Sequence, residues 1–358
     1  MVHIDRVTTP DPDGAGAFDE VAAIDRAVLI ETHGNDDLAD SAAARRARFA
    51  DQSDKARELL LIRAEPEGPA LGAAEVIYPL RENVETAETT VQIVPGHRRA
   101  GLGSALAQAA EDAARARGRT RMLGFAEHPD GAEGPGALLP PTGVGRAPRD
   151  SPPVAFALGR GYRLEQAERM STQPVPLDPG VRERLQRDAD ERSGGYRLLG
   201  WRDAAPAEHV DQIAELFTRM SVDVPHAELG YQEEVWDADR VRRREARAAA
   251  GGRTAFTTVA QHIGSGRLAA FTIIEVPPDK PAVGYQAETL VRAEHRGHRL
   301  GLAIKLANLD LVAAHRPQIA RIHTWNAGEN EWMLAINLAM GYRPGLLETV
   351  WSKRLSGV

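Results

Sequence analysis

Two stretches of this chain bring arginines and glycines together in one arrangement, about 200 residues apart. The first is Val91-Gln-Ile-Val-Pro-Gly-His-Arg-Arg-Ala-Gly-Leu-Gly-Ser-Ala-Leu106. The second is Thr289-Leu-Val-Arg-Ala-Glu-His-Arg-Gly-His-Arg-Leu-Gly-Leu-Ala-Ile304. Each reads as an apolar strand, a turn and a helix. In the first, the backbone N–H groups of Arg98, Arg99, Ala100, Gly101, Leu102, Gly103 and Ser104 gather where the helix begins. In the second, those of Arg296, His298, Arg299, Leu300, Gly301, Leu302 and Ala303 do so. Such a turn points N–H donors and the positive end of a helix dipole at an anion, most naturally a pyrophosphate. Glycine lets the backbone come close without a Cβ in the way. For either turn alone, a Gly-containing loop before an ordinary helix is the plain alternative; the repetition says that the chain holds two copies of one domain.

The two copies differ in detail. If Arg296 is aligned with Arg98, Arg299 falls where Gly101 stands and Gly301 matches Gly103. A shift by two gives His298-x-x-Gly301-x-Ala303, but spoils the spacing from the strand. The unshifted alignment is preferred. Arg299 keeps its N–H there, and its guanidinium can pair with a phosphate.

The elements that position these turns follow from periodicity and breakers. Residues 1–58 read as helical, with apolar periodicity over Phe18–Ile30 and an Ala/Arg-rich stretch at Ala42–Ala50. Strands are predicted at Leu59–Ile62, Leu71–Tyr78 and Thr86–Val94, a helix at Gly101–Arg117 and a strand at Met122–Phe125. Glu127–Pro153 is too rich in Gly and Pro for regular structure and reads as a disordered surface insertion, with a lid as the alternative. A short helix, Val154–Leu158, and a strand from Gly161 follow. Val175–Arg192, with two prolines and a charged helix, reads as a connection. The second half repeats the order: helices at Ala207–Ser221 and Asp239–Ala250, strands at Ala255–Gln261, Arg267–Glu275 and Ala282–Val291, a helix at Leu300–His315, a strand at Ile319–Trp325, a helix at Glu329–Met340 and a last strand at Leu347–Ser352. The arginine run Arg240–Arg247 is expected on a solvated helix face. The expected domains are 1–178 and 195–358, with 179–194 as linker.

Length and composition fit this layout. A chain of 358 residues is long for one core and comfortable for two. Hydrophobic and charged fractions of 42% and 27% are those of ordinary globular domains. No apolar run approaches the roughly 18 residues that span a bilayer, and the first residues do not read as a secretory signal. The absence of cysteine removes disulfides, thiolate metal sites and a cysteine nucleophile, and fits a reducing cytoplasm. No metal is expected. A formal net charge of −7 argues against nucleic acid and suits cationic substrates such as amines, with solubility as the plain alternative.

These residues carry a family resemblance. Arg98-x-x-Gly101-x-Gly103, after a strand with Val-x-Ile-Val-Pro95, resembles the acetyl-CoA turn of the GCN5-related N-acetyltransferases (GNAT). Phe156-Ala-Leu-Gly-Arg-Gly-Tyr162 resembles the helix and Gly-Phe ending of that family. Thr324-Trp-Asn-Ala-Gly-Glu-Asn330, followed by Met333-Leu-Ala-Ile-Asn337-Leu-Ala-Met-Gly341-Tyr342, is a fuller version. The resemblance covers both halves, in a two-domain, mycothiol-synthase-like layout. It implies an α/β fold of two tandem GNAT-like domains, each a splayed mixed sheet with helices on both faces.

The resemblance also implies roles. The strand before each turn, at Val91–Ile93 with Val94 and at Leu290–Arg292 including Val291, would bond the pantetheine arm of acetyl-CoA as an added strand. Asn326 and Asn330 would bond pantetheine amides, although Asn326 can equally cap the next helix. A carboxylate on the splayed strand would serve as base: Glu288 in the second half, Glu88 in the first. The family's tyrosine acid has Asn337 and Ala157 in its places. Tyr342 reads as core, and Tyr285, Tyr231 and His323 are weaker alternatives for acid or base. Asp223 and Glu228 lie in the region that shapes the acceptor site and would hold a cation, or form a plain acidic loop. The implied activity is direct transfer of acetyl from acetyl-CoA, a co-substrate, to a primary amine of a small molecule, with the C-terminal half catalytic. A degenerate CoA-binding sensor or scaffold is the alternative, as is transfer of another acyl group. A pseudo-dimeric monomer fits the repeat.

Overall fold

The computed structural model describes residues 2–8, 15–131, 134, 136–223 and 230–356. The first half runs β1 (His3–Val7), α1 (Ala15–His33), α2 (Ala42–Ala50), β2 (Lys55–Arg63), β3 (Ala70–Pro79), β4 (Thr86–Ile93), α3 (Leu102–Ala116), β5 (Arg121–Pro129), α4 (Pro152–Gly159) and β6 (Arg163–Pro174). Helix α5 (Pro179–Ser193) follows. The second half repeats the order as β7 (Tyr196–Arg202), α6 (Val210–Asp223), α7 (Ala238–Ala250), β8 (Thr254–His262), β9 (Leu268–Val276), β10 (Val283–Val291), α8 (Leu300–His315), β11 (Arg321–Ala327), α9 (Glu331–Ala339) and β12 (Arg343–Arg354). Side-chain caps start several helices: Ser41, Ser151, Asp178, Asp237 and Asn330 each accept a hydrogen bond from the N–H three residues on.

Residues 1–58 are not all helical as expected. His3–Val7 is a strand that pairs antiparallel with Leu59–Arg63. Its five residues are too few to show a period, and pairing with β2 decides its conformation. The Gly- and Pro-rich segment after β5 holds no long element among its described residues, yet it is anchored. Leu138 and Ala147 form an isolated bridge, and Ala147 is fully buried in the core.

The chain forms two compact units, each discontinuous in sequence. One joins Met1–Glu168 with Leu346–Val358 and a short piece, His226–Tyr231. The other joins Arg169–Pro225 with Gln232–Gly345. In the first, the strand order is β1-β2-β3-β4-β5-β12, then the first half of β6. Strands β4 and β5 are parallel, and β12 lies antiparallel to β5 from Leu346↔Pro129 to Arg354↔Arg121. In the second, the order is β7-β8-β9-β10-β11, then the second half of β6, with β10 and β11 parallel. Each unit thus takes one strand of its sheet from the other half of the sequence.

Alternation along the strands separates two layers of helices in each unit. In β2, Leu60 and Ile62 face the core of α3, while Leu59 and Leu61 face Phe18, Val21 and Ile24 of α1. In β9, Ile274 and Val276 pack with Leu302 and Leu306 of α8, while Phe271 and Ile273 pack with Ile213 and Phe217 of α6. Among the described residues, no helix is long and apolar enough to cross a membrane.

Candidate active site

Each sheet opens at one place. Strands β4 and β5 pair only from Thr86↔Arg121 to Thr89↔Gly124, and β10 and β11 only from Val283↔Arg321 to Tyr285↔His323. Both pairs run on without bonding each other, so the edges of β4 and β10 stand open toward their partners. An open edge of main-chain donors and acceptors is what an extended amide chain adds to. Ile93 and Val94, and Leu290 and Val291, lie at the far ends of these edges, where the turns begin.

The turns share one backbone. Each has a single 3-10 turn (Pro95–His97, Ala293–His295), then two left-handed residues two positions apart, then the helix. In the first copy these are Arg99 (φ 65°) and Gly101 (φ 83°); in the second they are Gly297 (φ 85°) and Arg299 (φ 55°). Glycine and arginine have exchanged places, and the register is the one that aligns Arg296 with Arg98. The arginines at those positions act alike: Arg98 Nε donates to Ile93 O at 3.3 Å, and Arg296 Nε to Val291 O at 3.4 Å. Arg98 also pairs with Glu31 near the end of α1 (2.6 Å), and Arg296 stands 3.8 Å from Asp223 at the end of α6. Both arginines therefore brace the turn.

The surroundings of the two turns differ. Ala100, Gly101 and Ser104 are exposed, and Gly103 half-buried. In the second copy Gly297, His298 and Arg299 are exposed, but Leu300, Gly301, Leu302 and Ala303 are buried. A Cβ on Gly301 would come 3.2 Å from Ile336 Cδ1, so this glycine serves close packing. Arg299 Nε is 3.0 Å from Asp188 of α5.

Strand β10 carries a bulge that β4 lacks. Gln286 pairs with Ile274 and Glu288 with Ile273, leaving Ala287 as the extra residue, whereas β4 pairs without interruption from Ile93↔Gly72 to Glu88↔Ile77. Gln286 pins the bulge: its Nε2 donates to Thr272 Oγ1 (2.9 Å), Ile273 O (2.7 Å) and Glu288 O (3.0 Å). A bulge re-aims the side chains beyond it. Here it puts Glu288 on the same face as Tyr285, the face of α6 and α7. Glu288 is half-buried, with Arg244 of α7 at 3.7 Å. Burial, with Glu275 and Glu234 nearby, pushes its carboxyl up to about 7 against the opposing pull of Arg244. On the same face, Tyr285 stacks near His323 (6.2 Å) and lies 6.3 Å from Trp325, forming an aromatic wall. Thr172 Oγ1 is 2.8 Å from His323 Nδ1.

The other candidates fall as follows. Glu88 lies 3.6 Å from Lys55. Asn326 is half-buried and accepts a hydrogen bond from Asn337 Nδ2 at 2.6 Å; the cap of α9 is Asn330, which accepts from Met333 N. Tyr342 is buried in the core, and burial pushes its hydroxyl up. Tyr231 packs with Leu123, Phe125 and Val350 of the first unit. Asp223 accepts from Arg219 at 2.8 Å, so arginines already hold it. Glu228 lies outside the described residues. The arginine run of α7 does not lie on a solvated face throughout: Arg240 is buried over the Trp236 ring (4.5 Å), and Arg244 turns in to Glu275 (3.0 Å). Arg240 and Arg244 are one turn apart, and the carboxylates on β9 and β10 draw the latter inward.

Comparison with known proteins bears on both halves. The model of the Acetyltransferase (GNAT) family matches residues 28–132. A tandem GNAT protein from the clavulanic acid biosynthesis pathway, solved without acetyl-CoA, is 25% identical with a TM-score of 0.76, over 100% of both chains. A GCN5-related N-acetyltransferase from Sphaerobacter thermophilus shares the fold at 15% identity and a TM-score of 0.64, over 99% of this chain and 97% of that one. So does a GCN5-related glucosamine N-acetyltransferase region of a fungal multi-domain enzyme, at 13% identity and a TM-score of 0.62, over 99% of this chain and 38% of that one. No curated protein matches the sequence.

Proposed function

From the premise that this chain is a tandem protein of the GNAT acetyltransferase family, we propose that it transfers an acetyl group from acetyl-CoA to a primary amine of a small molecule, and that the second unit does the chemistry. The observation that carries this reading is the bulge in β10, which turns Glu288 to the aromatic wall beside an open strand edge.

In this reading, the N–H groups from Gly297 to Leu302 hold the pyrophosphate, and the edge of β10 beyond Tyr285 bonds the pantetheine arm. Glu288 takes the proton from the attacking amine, directly or through a water. A carboxyl group near 7 is a fitting base at neutral pH. The nitrogen bonds to the acetyl carbon, the C–S bond breaks, and the thiolate takes its proton from solvent, since Asn337 stands in the place of the family's acid. Tyr285, His323 and Trp325 offer an apolar and cation-attracting wall to the acceptor, and the net charge of −7 favours amines. A small-molecule acceptor agrees with the similar tandem protein from a biosynthetic pathway.

The first unit supports a second role. Its turn carries Gly101 and exposed N–H groups, but β4 has no bulge and Glu88 faces Lys55. We assign it acetyl-CoA binding without transfer.

The test is release of free thiol from acetyl-CoA with a panel of small primary amines. Amine-dependent release is expected. Binding of acetyl-CoA with no release for any amine contradicts the enzyme and favours a sensor or scaffold.

A further inference from the structure

Helix α8 buries a lysine that the mechanism above does not use. Lys305 is 1% exposed and makes no ion pair among the described residues. Its Nζ donates to Asn337 Oδ1 at 3.0 Å and lies 5.4 Å from the centre of the Tyr342 ring. Asn337, itself buried on α9, donates from Nδ2 to Asn326 Oδ1 at 2.6 Å. Asn326 lies on β11 beyond His323, the last residue paired with β10, and is half-buried at the open part of the sheet. Three side chains thus connect the middle of α8 to the cleft.

The direction of this chain is not free. While protonated, Lys305 only donates, and its bond to Asn337 Oδ1 leaves the Asn337 N–H for Asn326. Asn326 must then turn its own oxygen to Asn337. This leaves Asn326 Nδ2, a donor of two hydrogens, with no acceptor among the described residues. Were Lys305 absent, either amide could turn over and offer the cleft an oxygen instead.

Stability gives no reason to keep Lys305. Burial pushes its ammonium down to about 7, and no carboxylate among the described residues offsets that desolvation. Burying a charge without a counter-charge costs stability, so an apolar side chain of similar volume is expected to be tolerated there. The first unit handles the matching arrangement differently. Lys353 lies 5.4 Å from the ring of Tyr162, but Glu111 neutralises it at 2.8 Å. In the second unit the carboxylate is missing and the amide chain takes its place.

We propose that Lys305 is a positioning residue that fixes Asn337 and, through it, holds Asn326 Nδ2 as a hydrogen-bond donor to a carbonyl oxygen on the acyl-pantetheine arm of the bound acyl-CoA. The proposal rests on the second unit being the working site.

Calorimetry tests it in a Gly101→Glu background, where a carboxylate in the first turn removes that unit's binding. Lys305→Met removes the fixed donor. Asn337→Asp keeps a partner for Lys305 but cannot donate to Asn326, which then turns its oxygen outward. Both are expected to weaken acetyl-CoA by about tenfold, as for one hydrogen bond left unmade. Affinity for the phosphoadenosine diphosphate portion of CoA, which lacks the pantetheine arm, is expected to stay the same. The melting temperature of Lys305→Met is expected to hold or rise. Unchanged acetyl-CoA affinity in both variants overturns the proposal and leaves the working site in place. Equal loss of affinity for both ligands, or loss that tracks a lower melting temperature, makes Lys305 a structural residue and also overturns it. If the Gly101→Glu protein binds no acetyl-CoA, the second unit is not the working site and both readings fall.

Discussion

Glu288 is where sequence, local structure and chemistry meet most closely. Its candidacy was legible from its place on the strand before the second turn. Its aim was not, because nothing in Gln286-Ala-Glu288 announces a bulge; that follows from three hydrogen bonds of Gln286 to β9 and the bulge itself. As the proposed base, Glu288 must be ionised, so amine-dependent kcat/KM should rise through about pH 7. Arg244 favours the ionised form, so Arg244→Met is expected to move the acid limb to higher pH. A carboxyl group raised in the folded state stabilises the fold below its unfolded pKa, and that stability is lost as pH rises through about 7. Glu288→Gln is therefore expected to melt at a higher temperature than the parent at pH ~8 while losing turnover, which thermal melts at two pH values check. Lys305 had a signal of its own: it is one of only four lysines, and apart from Asn308 the rest of Leu300–Leu309 is apolar. A charge placed there must be buried, but its partners Asn337 and Asn326 come from distant elements.

At the scale of the element, the two turns were the most legible feature, because left-handed residues and helix starts leave marks in composition. The repeat fixed their register, and the exchange of glycine and arginine between Gly101 and Arg299 shows how the same backbone tolerates either residue at about 1 kcal/mol. What lies over the second turn was not legible: α5 reads as a charged connection, and only the fold brings Asp188 to Arg299. An anion there opposes pyrophosphate and occupies the guanidinium. Asp188→Asn is expected to tighten acetyl-CoA several-fold at low salt, less so at high salt. Calorimetry at two ionic strengths reads it; no change means that Arg299 takes no part. Strand β1 shows the opposite limit, a segment too short for its own pattern to decide its structure.

For the whole molecule, the sequence announces two similar halves, and the repeated element order agrees. It does not announce that β12 lies beside β5 in the first unit, since the strand follows α9 as β6 follows α4 and pairing partners are set by neither period nor spacing. The consequence is that the first unit depends on the end of the chain. Trp351 is its largest fully buried side chain. Trp351→Ala is expected to destabilise by about 3–5 kcal/mol in denaturant unfolding. A chain ending at Gly345 is expected to expose the edge of β5 and aggregate, and a peptide of residues 343–358 to restore solubility. A soluble, cooperatively folded protein without those residues would contradict the strand order.

In the proposed function the second unit performs the transfer with Glu288 as its base. Amine-dependent thiol release, measured side by side for the parent, Gly101→Glu and Glu288→Gln, tests it most directly. The expected result is that Gly101→Glu keeps most of the turnover, while Glu288→Gln loses about a hundredfold or more and still binds acetyl-CoA. If Gly101→Glu abolishes turnover and Glu288→Gln does not, the working site is in the first unit and the account is wrong.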